Sequence, residues 1–279
     1  MDRYVVAGNP VEHSQSPFIH TEFARQTGQT LEYGRVLWPL DGFADSVQAL
    51  AASGAKGCNI TLPFKFDAFR AAHRVTPRAA LAQAANVLRF DADDWLADNT
   101  DGVGLVNDIE RNAGVSIAGK RVLLIGAGGA AAGVLGSLLA AHPNEIVVAN
   151  RTPARAQALV DRHLPVAGDT AMGATTPAGC GTGFDIVVNA SASSLHGAGV
   201  PVSHTALAPG ALALDMMYGP LAQPFLDWAT ANSSPSRDGL GMLVEQAAAA
   251  FELWRGVRPD TASVLSALRE RMRRKAPSA

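Results

Sequence analysis

Residues 121–131 constrain the fold of this chain more than any other stretch. Arg121-Val122-Leu123-Leu124-Ile125 is an apolar run of strand length, and it leads into Gly126-Ala127-Gly128-Gly129-Ala130-Ala131. A small-residue helical pattern follows. This is G-x-G-x-x-A in a strand–turn–helix setting. The first glycine permits the tight turn, and the second lets a pyrophosphate approach the backbone. The small sixth residue, Ala131, lets helix and strand pack closely. Free N–H groups at the helix N-terminus would hold the phosphates. A second strand at Glu145–Ala149 completes a βαβ unit. The stretch therefore predicts a Rossmann-type, doubly wound dinucleotide-binding domain.

The end of that second strand indicates which dinucleotide. An NAD site carries Asp or Glu there for the ribose hydroxyls. Here the residues are Asn150-Arg151-Thr152-Pro153-Ala154-Arg155, with no carboxylate. Arg151 and Arg155 offer guanidinium groups to a 2′-phosphate, and the helix starting at Pro153 adds a favourable dipole. The cofactor predicted is NADP. Further strands at Phe184–Asn189 and Ala211–Tyr218 bring Ala190, Ser191 and Met216 to the cofactor cleft, with Gly239 at the opening of a later helix.

The first hundred residues alternate strand and helix. Tyr4–Gly8, Leu31–Trp38 and Gly57–Ile60 read as strands. A helix with Ser16 as N-cap and Pro17 in its first turn runs to Gly28, and another covers Phe43–Ala51. This predicts a mostly parallel sheet with helices on its faces. Asn59 and Thr61 share one face of the third strand. Pro63 turns the chain, and Lys65 follows. An amide, a hydroxyl and an ammonium thus converge at a strand end, where open α/β sheets bind ligands. One or two helices run on to about Ala82. Ala85–Phe90 and Trp95–Asp98 read as strands joined by a polar turn at 91–94, and Asn99-Thr100-Asp101-Gly102 leads into a helix from Val103 to about Asn112. The paired serines Ser14 and Ser16 at a helix start suit a carboxylate. Asn59, Asn86, Asp101 and Gln246 can exchange hydrogen bonds with hydroxyls.

After an amphipathic helix at Leu221–Ala231, Ser233-Ser234-Pro235-Ser236 reads as a linker-like return. Helices at Gly239–Arg255 and Thr261–Arg274 do not extend a Rossmann sheet, so they are expected on the first domain. The predicted division is a discontinuous α/β substrate domain, 1–101 with 239–279, and a nucleotide domain, 102–238.

Composition narrows the partners. The 279 residues are 48% hydrophobic, and 23 Lys+Arg against 25 Asp+Glu give a formal charge of −2. No basic patch suits nucleic acid: the cations at Arg269–Lys275 close a helical pattern, where they complement the dipole. Cys58 and Cys180 form neither a metal-ligand pattern nor a disulfide framework, and no metal is expected. Met1 leads directly into a strand-like stretch, and no apolar run reaches membrane-spanning length. The expectation is a cytoplasmic protein with no membrane partner.

Taken in order, Ser14-Gln15-Ser16-Pro17, Asn59-Ile60-Thr61-Leu62-Pro63-Phe64-Lys65, Ala85-Asn86, Asn99-Thr100-Asp101-Gly102, Gly126–Ala131, Asn150-Arg151-Thr152 and Gly239–Ala247 resemble the shikimate dehydrogenase family nearly end to end. The resemblance implies NADPH-dependent reduction of 3-dehydroshikimate to shikimate in aromatic biosynthesis, by a monomer or homodimer. It implies a substrate site at Ser14, Ser16, Asn59, Thr61, Lys65, Asn86, Asp101, Tyr218 and Gln246, with Lys65 and Asp101 as the catalytic pair. The chain departs from the pattern at Asn189-Ala190-Ser191-Ala192-Ser193, where relatives often carry a Thr-Ser pair, and at Tyr218-Gly219-Pro220. Three other readings have recognisable marks. A branch that also oxidises quinate and accepts NAD would favour an acidic residue near Arg151. A nucleotide-sensing protein without catalysis would lack Lys65 or Asp101. A folate-interconverting dehydrogenase would not call for the Ser14/Ser16 pair, which suits a small carboxylate better than a pterin.

Overall fold

The computed structural model describes residues 1–92, 94–191 and 200–275. Ala192 and Ser193, and Asp93 of the 91–94 turn, lie outside the described residues. The chain divides into two compact units, Met1–Gly104 with Leu243 onward, and Leu105–Met242.

In the first unit the chain runs β1 (Asp2–Gly8), α1 (Ser16–Thr27), β2 (Leu31–Leu37), α2 (Phe43–Ala52), β3 (Gly57–Ile60), α3 (Lys65–Ala71), β4 (Arg74–Val75), α4 (Pro77–Ala82), β5 (Val87–Asp91), β6 (Asp94–Asp98) and the start of α5 (Asp101–Asn107). It closes with most of α9 (Leu240–Arg255) and with α10 (Thr261–Lys275). The sheet order is β2-β1-β3-β5-β6-β4. β1 pairs parallel with β2 and β3, and β4 with β6, while β5 runs antiparallel to both its neighbours. Val5, Ala7, Cys58, Ile60, Leu88 and Ala97 fill one face with Trp38, Phe43 and Phe64. On the other face Tyr4, Val6 and Tyr33 pack beside Trp254 of α9.

The second unit contains β7 (Arg121–Ile125), α6 (Gly129–Ala140), β8 (Glu145–Ala149), α7 (Pro153–His163), β9 (Ala171–Thr175), β10 (Phe184–Asn189), β11 (Leu207–Asp215), α8 (Gln223–Ala231) and β12 (Ser236–Arg237). Its sheet is parallel throughout, in the order β12-β11-β10-β7-β8-β9. Numbered from β7, this is 3-2-1-4-5-6, the doubly wound order whose direction reverses between β7 and β10. Leu123, Ile125, Val187 and Ala213 face one apolar layer, and Val122, Leu124, Val148, Ile186 and Leu214 face the other, so both faces of the sheet are covered.

Several expectations are corrected. Ser16 is not the N-cap: Gln15 occupies that position without a side-chain bond, and Ser16 is the first helical residue. The Ser14 hydroxyl accepts from Ser16 N at 3.3 Å and takes over the capping role. The strand expected at Ala211–Tyr218 begins earlier and ends at Asp215. The helix expected from Val103 begins at Asp101 and ends in a π-helical turn, Asp108–Asn112. The return linker contains a short strand, in which Ser236 and Arg237 pair with Ala213 and Leu214. The strand Ala171–Thr175 was not foreseen, because Ala-Met-Gly-Ala carries no β-branched signal.

Candidate active site

The first unit gathers most of the expected substrate residues into one hydrogen-bonded set. Asn59 is buried in β3, and Thr61, just past the end of the strand, is half-buried. Thr61 N bonds Ala7 O at 2.9 Å, and Asn9 N bonds Leu62 O at 2.9 Å, so the turn is tied to the end of β1. Gly8 makes room for it: a Cβ there would lie 2.2 Å from Thr61 Cγ2. The Leu62–Pro63 peptide is cis. Beyond this turn α3 opens with Lys65, whose Nζ donates to Asp101 Oδ2 at 2.5 Å. The Lys65 side chain is 13% exposed and that of Asp101 6%, so the pair is only lightly hydrated. An ammonium held this way can hand a proton to an adjacent oxygen while its partner carboxylate keeps it in place.

Asn86 joins that pair to the rest. Its Nδ2 reaches Asp101 Oδ1 at 2.8 Å, Thr100 Oγ1 at 3.0 Å and Gln246 Oε1 at 3.1 Å, and its Oδ1 accepts from Thr100 N at 2.8 Å. Asn59 Nδ2 donates to Asn86 O at 3.3 Å. Ser14 and Ser16 meet through their hydroxyls at 3.1 Å. Arg35 grips the Ser14 carbonyl with Nε at 3.0 Å and a terminal nitrogen at 2.5 Å. Among the described residues the Thr61 hydroxyl makes no hydrogen bond within the protein, so it stays available to a ligand.

A second layer fixes Asp101. Its backbone N donates to Asn99 Oδ1 at 3.2 Å, and Asn99 Nδ2 donates to Ala84 O at 2.9 Å. Asp98, fully buried, accepts from Asn99 N at 2.7 Å, Thr76 Oγ1 at 2.6 Å and Arg78 Nε at 2.6 Å, and from a second Arg78 nitrogen. Burial pushes the Asp98 carboxyl up, but the Arg78 guanidinium, with Thr76 and Asn99 N, outweighs it and holds it below the ordinary carboxylate value. Asp98, Thr100 and Tyr33 were not among the residues expected at the site. Thr100 stood inside a quoted motif. The signal for Tyr33 was a tyrosine amid a strand, since a buried phenol seeks a partner for its hydroxyl.

The second unit holds the glycine loop. Gly126 has φ +110°, and a Cβ there would sit 2.9 Å from Ala190 O and 3.1 Å from Ser191 N. Glycine is thus required twice, by the turn and by the contact across the switch point. Gly128 differs: it is exposed, and a Cβ there would meet nothing within 4 Å. Gly129, Ala130 and Ala131 form the first turn of α6, with Ala131 buried, and Ala127 half-buried before them. After β8, Asn150 Nδ2 donates to Thr152 O at 3.0 Å. Thr152 is the N-cap residue of α7 without a side-chain bond, and Pro153 follows it. Arg151 and Arg155 are exposed and form no ion pair among the described residues.

The ends of β10 and β11 are braced. Asn189 Nδ2 donates to Asp215 Oδ2 at 2.8 Å, Ser191 donates to Asn189 Oδ1 through N at 3.1 Å and Oγ at 2.7 Å, and Met217 N donates to Asp215 Oδ1 at 2.8 Å. Gly239 is pressed onto this brace: its N donates to Met217 O at 2.8 Å, and a Cβ would lie 2.3 Å from Met216 O. Tyr218 is half-buried in this unit, preceding a short 3-10 turn.

Comparison with known proteins agrees with this anatomy. Residues 6–88 match the family model described as shikimate dehydrogenase substrate binding domain. Residues 108–196 match that of shikimate / quinate 5-dehydrogenase, and 239–269 that of the shikimate 5'-dehydrogenase C-terminal domain. The protein named shikimate dehydrogenase (NADP(+)) from Methylibium petroleiphilum is 60% identical over 276 residues, covering 96% of this chain and 94% of its own. The one from an Acidovorax species is 60% identical over 270 residues, covering 96% of each. A solved structure of shikimate 5-dehydrogenase from Thermus thermophilus, in complex with NADP(H) and shikimate, is 30% identical with a TM-score of 0.84, covering 97% of this chain and 99% of that one. With such identity across almost its whole length, the chain belongs to the shikimate dehydrogenase family.

Proposed function

We propose that this chain catalyses the reversible NADPH-dependent reduction of 3-dehydroshikimate to shikimate, a step of aromatic biosynthesis. The observation that carries the reading is the Lys65–Asp101 pair at 2.5 Å, joined through Asn86 to Gln246. The named activity of relatives at 60% identity supports it.

The residues suit the ligand group by group. Shikimate carries one carboxylate and three hydroxyls. Ser14 and Ser16, at the positive end of the α1 dipole, bind the carboxylate. Asn59, Thr61, Asn86 and Gln246 read the hydroxyls. NADPH supplies the hydride when bound. The ketone oxygen then gathers negative charge, and Lys65 Nζ donates a proton to it as the charge forms. Asp101 holds Nζ toward that oxygen. In oxidation the same nitrogen receives the proton.

The second unit fits NADP on its own evidence. Open space beside Gly128 admits a pyrophosphate against the α6 N-terminus. Exposed Arg151, helped by Arg155, Asn150 and Thr152, takes the 2′-phosphate, with no carboxylate at the end of β8 to repel it. Gly126, Ala127, Gly129, Ala130 and Ala131 shape the phosphate turn. Ala190, Ser191, Met216 and Gly239 line the nicotinamide end. The reading places the protein in the cytoplasm as a monomer or homodimer. Near-balanced charge supports a small-molecule partner over a polyanion. Among the described residues no helix is long and apolar enough to cross a membrane.

The test is a spectrophotometric assay of NADPH oxidation with 3-dehydroshikimate, run beside NADP+ reduction with shikimate and with quinate. Turnover of 3-dehydroshikimate and shikimate well above quinate is expected. Absence of turnover with the shikimate pair would refute the reading.

A further inference from the structure

Tyr33 lies in the middle of β2 and is buried, although nothing in the proposed chemistry uses it. Its hydroxyl lies 2.5 Å from Asn59 Oδ1. The direction of that bond follows from the other end of the amide. Asn59 Nδ2 faces the Asn86 carbonyl at 3.3 Å, and a carbonyl can only accept. Oδ1 therefore faces Tyr33, and the phenol is the donor. Burial raises the phenol pKa well above 10, so the hydroxyl keeps its proton. The Ser16 side chain lies against the same hydroxyl, and Ser16 meets Ser14. Tyr33 thus stands between the serine pair and the amide cluster.

The ring is clamped as well. His20 stacks on it with centroids 4.2 Å apart and planes 5° from parallel. Phe23, Phe251 and Trp254 surround His20 in turn. His20 is fully buried, and neither ring nitrogen has a hydrogen-bond partner among the described residues. Burial lowers its pKa to about 3, so it is a neutral plate at working pH. Stacked in this way, the tyrosine ring is held against tilting.

We propose that Tyr33 is a positioning residue for substrate recognition: it locks the Asn59 amide so that the Nδ2 hydrogen not shared with Asn86 is presented to a substrate hydroxyl. The inference rests on the activity proposed above and deepens it. Without the phenol hydroxyl, Oδ1 is left buried without a donor. The amide is then held at its nitrogen alone, by the 3.3 Å bond to the Asn86 carbonyl, and can swing away from the position that meets the substrate hydroxyl.

Tyr33→Phe keeps the ring and its stack and removes only the hydroxyl. It is expected to raise the shikimate KM about tenfold, the equivalent of one oriented hydrogen bond. kcat should change by less than about threefold, since the bond serves ground and transition states alike. The KM for NADP+ should stay at the parental value. KM is read on the folded fraction, so partial unfolding would lower apparent kcat and leave KM alone. A double-mutant cycle completes the experiment: Tyr33→Phe combined with Asn59→Ala should be no weaker than Asn59→Ala alone, because Tyr33 acts through that amide. A parental shikimate KM in Tyr33→Phe, or losses that multiply in the double variant, would overturn this inference alone. A parental protein inert toward shikimate would instead overturn the activity reading.

Discussion

The two units prepare for their ligands in opposite ways. In the first, the candidate residues bond to one another: Lys65 to Asp101, Asp101 to Asn86, Asn86 to Gln246 and Asn59. In the second, the loop presents backbone and empty space at Gly128, and its arginines stand exposed. The difference follows the ligands. A small polyhydroxy acid is recognised by which hydroxyl sits where, so donors and acceptors must be fixed in advance. A phosphate group is recognised by charge and by N–H groups of a helix end, which any sequence supplies if side chains stay out of the way. Preorganisation in one unit is made of side chains, and in the other of their absence.

If that contrast is right, variants should separate the units cleanly. Lys65→Ala should reduce turnover by about 10²–10⁴-fold with a smaller change in the shikimate KM, because the proton transfer proposed for it would be felt mainly in the transition state. Steady-state kinetics, with fold checked by circular dichroism, decide this. A raised KM with turnover near parental would make Lys65 a binding residue only. Arg151→Ala should weaken NADP+ by about one to two orders of magnitude, the value of a charged hydrogen bond, and leave NAD+ little changed. Equal losses for the two cofactors would remove Arg151 from the 2′-phosphate site.

The glycine loop offers a sharper version of the same comparison. Gly126→Ala should destabilise the second unit by about 1–3 kcal/mol, since it forces a side chain into positive φ and into the Ala190–Ser191 backbone. Gly128→Ala should leave the melting temperature near parental and weaken NADP+ about tenfold, the cost of a displaced phosphate hydrogen bond. Melting curves and cofactor titrations on both variants test the pair, and the reverse pattern would mean that Gly128 is the structural glycine.

A further prediction concerns the brace behind Asp101. Asp98→Asn should lower stability by about 1–3 kcal/mol through the loss of a charged partner for Arg78. The lowered Asp98 pKa contributes stability that is present above the unfolded value of 3.8 and lost as pH falls through the lower folded value. Acid melts should therefore show the variant's deficit shrinking below that pH. A deficit that persists unchanged in acid would argue against the ion pair as its source.

Legibility in the sequence followed the range of the interactions. β7, the glycine loop and α6 were readable because apolar periodicity and glycine placement are local signals. Ser236–Arg237 was read as linker because only pairing with β11 makes two such residues a strand. Ser14, rather than Ser16, supplies the oxygen at the α1 start, a two-residue shift that spacing does not settle. The pairing of Lys65 with Asp101 came from family resemblance, since 36 residues separate them. Tyr33 was missed for a related reason. Its partner Asn59 lies on β3, with β1 between the two strands, and no pattern along the chain announces a bond across a neighbouring strand.

The division of labour itself is tested most directly by calorimetric titration of Asn86→Ala with shikimate alone and with NADP+ alone. Asn86 lies at the centre of the first unit's network, and its side-chain partners Thr100, Asp101 and Gln246 all belong to that unit. The account predicts that shikimate binding weakens about tenfold or more, as one or more oriented hydrogen bonds are lost, while the NADP+ dissociation constant stays at the parental value. Parental affinity for shikimate, or a parallel loss for both ligands, would contradict it.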